Sequence, residues 1–259
     1  STKVSIWFPK PEIQAMARVF ADFESIHAEA YARLNEELGL DDFRAFLEDE
    51  VSKAKIDRLI EVPGETLEER ALSLAIFSAF TEGVNLFSSF AILMSFQLRN
   101  LMKGTGQIVE WSVRDESLHS KMGCQLFRHM CLEFPELLEE AKEDIIKAAE
   151  IIRQLEYKFI DKIFEMGDLE NLIKEDLKHF ITKRVNEKLG ELGYNPTPGG
   201  DDYFEFLYEF DVQDSNKFET LFADNVTSMA LDNFEKFGEP QLNYEQFHEC
   251  MEYAVADYH

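Results

Sequence analysis

Glu24-Ser-Ile-His27 and Glu116-Ser-Leu-His119 each set a carboxylate and an imidazole three residues apart. On a helix that spacing brings both side chains to one face, so each string aims an oxygen and a nitrogen donor at the same point. Such mixed donors suit iron or manganese. A third acid, Glu82, lies in the segment Phe77–Phe90, which is apolar almost all round. A helix of that kind is buried, and a buried carboxylate needs a partner or a proton. Carboxylates bridging two cations, with one imidazole on each, would satisfy charge and coordination together. Each part has an ordinary reading by itself. A single Glu-x-x-His arises easily on a solvated face, and a lone buried Glu can serve a salt bridge or a substrate. Their combination points to a dinuclear metal site.

The elements that must position these residues are nearly all helical. Pro11 and Glu12 suit a first turn, and 12–38 runs without Gly or Pro until Gly39. Short helices are expected over 41–50 and 51–61, ahead of the break at Pro63-Gly64. Thr66-Leu-Glu-Glu69 has the form of a capping box opening a long helix to about 102. Gly104 and Gly106 mark a joint. Helices over 107–132, 136–166 and 169–192 follow, the last two closed by Gly167 and Gly193. The longest loop holds Pro196, Pro198, Gly199 and Gly200. Beyond it, 201–259 is acidic and less regular, with helices expected near 214–236 and 243–257. Val4–Phe8 is too short a strand signal to matter. The fold class is all-α, a helical bundle in one domain over 1–259, with its core at 10–192. Paired Glu-x-x-His helices plus further Glu-bearing helices are the pattern of ferritin-like di-iron and di-manganese bundles, here with additional helices.

Composition excludes several functions. The 26 basic residues face 51 acidic ones, a net charge of −25, and such a surface repels nucleic acid and anionic membranes. With 23 Phe and 45% hydrophobic residues, global disorder is excluded. Cys124, Cys131 and Cys250 form no CxxC pair and suit reduced thiols in a cytoplasmic protein. Nothing resembles a signal peptide. No apolar stretch long enough to span a membrane is expected; Ala71–Phe96 comes closest but carries Glu82, Asn85 and Gln97. His129, His179 and His248 have no partner at ligand spacing and are expected to be surface or satisfied residues.

The chain resembles the radical-generating small (beta) subunit of class I ribonucleotide reductase. The resemblance rests on Glu24-Ser-Ile-His27-Ala-Glu-Ala-Tyr31, on Phe80-Thr-Glu82-Gly83, and on Gly106 through Arg114-Asp115-Glu116-Ser-Leu-His119. The stretch Phe180–Gly190 is similar to a later helix of the family, and coverage is roughly 1–195. The resemblance implies two metal ions per chain, Fe or Mn, held by Glu24, His27, Glu82, Glu116 and His119. It implies a tyrosyl radical on Tyr31, formed by loss of one electron and one proton. Asp115 matches an acid behind the metal ligands on the radical-transfer route. Leu86, Phe90 and Ser112 fall on the route by which the oxidant reaches the metal. The radical would pass to a separate large (alpha) subunit that reduces the nucleotide, and a homodimer is implied. This chain has no Gly-rich phosphate loop or basic cleft of its own.

Two departures accompany the resemblance. The family's first acidic ligand lies on a helix about thirty residues before the first Glu-x-x-His, whereas only 23 residues precede Glu24, none of them an acid placed to serve. The stretch Tyr244–His259 looks like that missing helix. If His259 ran on into Ser1, Glu252 would precede Glu24 by 31 residues, making it the sixth ligand of a circularly permuted chain, with Glu249 or Asp257 as substitutes. The other reading is an N-terminal truncation followed by an unrelated acidic helix. The second departure is that Tyr253 and Tyr258 sit in a helical segment, where the family keeps a flexible tail. Competing functions are a ferritin-like di-metal oxidase or oxygenase without a nucleotide-reducing partner, which would lack the radical tyrosine, then an iron store and a structural helical protein.

Overall fold

The computed structural model describes residues 2–40, 48–60, 64–170 and 172–205. Two compact units divide the chain, with a boundary between Ala32 and Arg33. The first holds α1 (Thr2–Trp7) and most of α2 (Pro11–Glu37). Val4–Phe8, weak as a strand signal, is therefore part of a short helix and its exit. Gln14 Nε2 donates to the Ser5 carbonyl at 3.3 Å and ties α2 to α1. At its other end α2 closes as expected. Gly39 takes φ +68°, Gly39 N–H reaches the Glu36 carbonyl and Leu40 N–H the Asn35 carbonyl, the paired bonds of a Schellman turn.

The second unit contains α3 (Glu50–Ile60), α4 (Leu67–Ile76), a π-helical segment (Phe77–Glu82) and α5 (Phe87–Ser95). It continues with α6 (Lys103–Glu133), α7 (Glu136–Glu140), α8 (Lys142–Glu165) and α9 (Lys174–Leu192). No strand occurs among the described residues; Leu169 and Leu172 form one isolated bridge. The long helix α6 packs along α4, the π segment, α5 and α9, while α8 packs against α3, α4 and α9. Phe80, Phe87, Met94, Phe127, Ile145, Ile160, Ile181 and Leu189 form the wholly buried centre. The capping box at Thr66 is made, with Thr66 Oγ1 accepting from Glu69 N–H and the Glu69 carboxylate accepting from Thr66 N–H.

The expected helix from 66 to about 102 is not continuous. It passes from α4 into the π segment, turns at 83–86, resumes as α5 and ends in a 3-10 turn at Gln97–Arg99. By length and composition Leu67–Arg99 could cross a membrane, contrary to the expectation of no such stretch, and its most apolar part is about half buried inside the protein, as a core helix also is.

The next joint also differs. Asn100 takes φ +60°, and Leu101 N–H reaches Phe96 O while Asn100 N–H reaches Gln97 O, so Asn100 ends the helix in place of a glycine. Gly104 and Gly106 lie inside α6. A Cβ at Gly106 would run into the Gln97 side chain, so this glycine serves close packing rather than a turn. The 136–166 helix is broken at Ala141, and the last helix starts at Lys174 rather than 169. Gly193, at φ +104°, closes it as expected. The helices expected at 41–50, 214–236 and 243–257 fall wholly or mostly outside the described residues.

Candidate metal centre

Helix α6 supplies two of the candidate ligands. Val109, Val113, Met122 and Phe127 turn its apolar side inward, and Glu116 and His119 are carried in with them, 4% and 5% exposed. The last residue of the π segment, Glu82, comes to meet them. His119 Nδ1 lies 3.7 Å from a carboxylate oxygen of Glu82 and 3.7 Å from one of Glu116. One donor atom from each of Glu82, Glu116 and His119 falls within 4.8 Å of the others, a spacing that can hold a metal ion. The π segment packs closely on α6: a Cβ at Gly123 would collide with the Ser78 side chain. π-helical turns inside α-helices often mark functional sites, and this one delivers the acid.

The electrostatics favour a bound cation. Burial, and then the Glu116 carboxylate alongside, push Glu82 up to about 8, while His119 pulls the other way. Two acids and an imidazole crowded away from water form an unfavourable set by themselves. A divalent cation among them would reverse that penalty, since it favours ionised carboxylates and a neutral imidazole. Oxygen and imidazole donors also match iron or manganese chemically. These residues therefore fit such an ion.

The other sequence-selected residues lie as follows. On α2, His27 Nδ1 is 3.8 Å from a Glu24 carboxylate oxygen; the His27 side chain is mostly buried and that of Glu24 is 46% exposed. Tyr31, two turns beyond Glu24 on the same face, is partly buried. Asp115 is buried beside Glu116 in sequence, at 8% exposure. Of the residues expected along the oxidant route, Phe90 and Ser112 are buried and Leu86 is exposed. Phe90 meets Phe87 edge to face at 5.5 Å. His129 and His179 are both half-buried, and burial and Lys183 lower the pKa of His179. Glu249, Glu252, Tyr253, Asp257, Tyr258 and His248 lie outside the described residues.

Two polar arrangements inside the fold, one buried and one partly buried, had no sequence signal. Glu156 on α8 is wholly buried, paired with Lys55 and hydrogen-bonded by Ser88 Oγ. It sits on a strongly amphipathic helix among many acids, and nothing in its spacing sets it apart. Arg184 on α9 reaches the Gly83 carbonyl, next to Glu82, at 2.9 Å. Its segment had drawn notice only as part of a family-like helix.

Comparison with known proteins shows the family. The family model "Ribonucleotide reductase, small chain" matches residues 2–199. The ribonucleoside-diphosphate reductase small subunit 048L of Invertebrate iridescent virus 3 is 34% identical over 213 residues, covering 73% of this chain and 56% of that one. The ribonucleoside-diphosphate reductase subunit beta of Chlamydia pneumoniae is 25% identical over 220 residues, covering 79% and 63%. A crystal structure of a class I ribonucleotide reductase from Bacillus halodurans superposes with a TM-score of 0.68 at 23% identity, covering 74% of this chain and 71% of that one. That likeness shows the fold, an all-α ferritin-like bundle. The chain spans about 56% to 63% of the length of these curated relatives. With its family model running through both Glu-x-x-His strings, the chain belongs to the ribonucleotide reductase small-chain family.

Proposed function

We propose that this chain is the radical-generating small subunit of a ribonucleoside-diphosphate reductase. The observation that carries the reading is the convergence of Glu82, Glu116 and His119 from two separate elements on one point, 3.7 Å apart at His119. In this reading Glu24 and His27 complete the ligand set, one imidazole per ion, and Glu252 or another acid outside the described residues supplies the sixth ligand. The family match over 2–199 supports reading that stretch as a single ferritin-like domain.

Two bound ions, Fe or Mn, would supply a one-electron oxidant. The chain's own residues do the rest. Glu82, Glu116 and Glu24 provide negative charge that balances the ions, and His27 and His119 provide one neutral nitrogen each. Asp115, buried next to Glu116, orients a ligand imidazole by accepting its outer N–H. Phe80, Phe87 and Phe90, all 5% exposed or less, keep water from the site. Tyr31 gives up its phenolic proton and an electron and holds the radical, one turn beyond His27. The radical equivalent then passes to a large subunit that binds the nucleotide, with the small subunits paired as a homodimer in the cytoplasm. No role falls to nucleic acid or membrane.

The test is metal analysis with electron paramagnetic resonance, after loading the reduced protein with iron or manganese and admitting oxygen. Two metals per chain and a radical signal lost in Tyr31→Phe are expected. Two metals with no tyrosyl signal would replace this reading with a ferritin-like di-metal oxidase, and no metal would end both.

A further inference from the structure

The chain breaks helical bonding directly after Glu82. In a continuous α-helix Phe87 N–H would serve the Gly83 carbonyl. Here it goes to the Val84 carbonyl at 3.0 Å, and Val84 and Asn85 N–H both turn back to the Phe80 carbonyl, at 3.2 and 2.9 Å. The Gly83 carbonyl is taken instead from α9, by Arg184 Nε at 2.9 Å. The same guanidinium lies over the Phe87 ring, its central carbon 3.4 Å from the centroid. One side chain thus holds both ends of the turn from 83 to 87. Burial lowers the Arg184 pKa to about 10, opposed by Glu187 and Glu191. The Arg184 residue is partly exposed, and what its guanidinium loses in contact with water the Gly83 carbonyl and the Phe87 ring offset.

Gly83 is wedged as well as bonded. A Cβ at this position would meet Ser120 Oγ at 2.6 Å and Lys188 Cε at 2.7 Å, with the Ala79 carbonyl closer still. Ser120 follows His119 in sequence as Gly83 follows Glu82. The two ligand-bearing elements therefore touch through the residues next to their ligands, and α9 closes the contact from the third side. With no slack in this arrangement, the direction of the Glu82 side chain depends on where the Glu82–Gly83 peptide is held.

We propose that Arg184 is a positioning residue for the metal site: its hydrogen bond to the Gly83 carbonyl fixes the peptide that follows Glu82 and so sets where that carboxylate points. The inference rests on Glu82 being a metal ligand. It does not require Arg184 to touch a metal ion, and no other residue among the described ones is bonded to this carbonyl.

Titration of the full-length, metal-free chain with Mn(II), reading unbound Mn(II) by electron paramagnetic resonance, separates the two statements. Glu82→Ala tests the ligand reading by itself; wild-type binding in that variant would remove the ligand and with it the basis of the inference. Arg184→Met keeps the aliphatic stem and deletes the donor. It is expected to bind one of two ions roughly 10- to 100-fold more weakly, the usual cost of losing a group that supports a ligand, with helicity by circular dichroism unchanged. Arg184→Lys keeps a donor within reach and is expected to recover most of that loss. Wild-type affinity in Arg184→Met, beside a defective Glu82→Ala, would overturn the proposal. Equal weakening in Arg184→Lys would also overturn it, because the effect would then follow shape rather than the hydrogen bond. Should Arg184→Met not fold, Phe87→Leu removes the ring beneath the guanidinium while keeping apolar bulk. Several-fold weaker binding there supports the proposal, and unchanged binding overturns it.

Discussion

Lys55 on α3 forms an ion pair with Glu156 on α8, whose side chain has no exposed surface. Ser88 on α5 gives the same carboxylate a hydrogen bond, so three helices meet at one buried charge. Burial raises the Glu156 pKa, and Lys55 first and Ser88 next act against that rise. Removing one partner of such a pair strands the other. Lys55→Met should cost about 3–5 kcal/mol of unfolding free energy. The double variant Lys55→Met/Glu156→Leu should recover much of it, since an apolar pair of similar volume needs no desolvation. Urea denaturation of the three proteins decides the matter, and a double variant no better than the single would show that the pair is worth more than its burial costs.

The proton on Glu82 makes stability depend on pH in the metal-free protein. Its folded pKa, about 8, lies above the ordinary 4.5. The unfolded chain therefore releases this proton across a range where the folded chain keeps it. The group costs nothing below the lower value, and its destabilisation grows with rising pH until it is complete above the upper one. Metal-free Glu82→Gln should thus outlast the wild type by a margin on the order of a few kcal/mol at pH 8.5 and by little near pH 5. Saturating Mn(II) should reverse the order. A margin that does not change with pH would contradict the burial of Glu82 and its crowding by Glu116.

The capping box offers a local test. Thr66→Ala removes the oxygen that accepts Glu69 N–H at the start of α4. The expected loss is about 1 kcal/mol, with metal binding untouched because the candidate ligand Glu82 lies at the far end of the π segment, 16 residues on from Thr66. A variant with weaker Mn(II) binding at equal helicity would instead tie the start of α4 to the ligand geometry.

The two described cysteines should be unreactive. Burial pushes the Cys124 thiol up to about 12 and the Cys131 thiol to about 11. Neither supplies much thiolate at pH 8, and the thiolate is the nucleophile. A maleimide should leave both unmodified in the folded protein and label both in urea, as read by peptide mass spectrometry, which separates them from Cys250. Rapid labelling of Cys124 under native conditions would mean that α6 opens near the site.

Much of this was legible in residue order, for reasons that differ by element. The ends of α2, α4 and α9 were readable because Gly39, Thr66 with Glu69, and Gly193 act through their own backbone needs, which depend on nothing distant. The meeting of Glu82 with Glu116 and His119 was prepared by two signals: an acid in an apolar segment needs a partner or a proton, and the family resemblance makes all three metal ligands. What could not be read was decided by packing. Gly106 looked like a hinge, yet it is a place where the Gln97 side chain comes close, while Asn100 carries the turn. The π segment has no composition of its own, since Phe77–Glu82 would serve equally well in an α-helix. Glu156 and Arg184 were hidden among many charged residues, because burial is set by partners contributed from α3, α5 and the turn at 83–87.

A π turn contains an extra residue relative to the α-helix it interrupts, and each residue rotates an α-helix by about 100°. Upstream, Ala71, Leu74 and Ala75 face the core; downstream, Phe87, Phe90, Ala91 and Met94 do so. The slip between them acts as a phase adjuster. It lets the acid be swung toward α6 while both apolar stripes keep their bearing. Deleting one residue between 77 and 82 would rotate Glu82 by about 100° relative to the stripe of Ala71, Leu74 and Ala75 and turn the carboxylate away from α6. In this chain the aim of a single side chain is encoded as a count of residues.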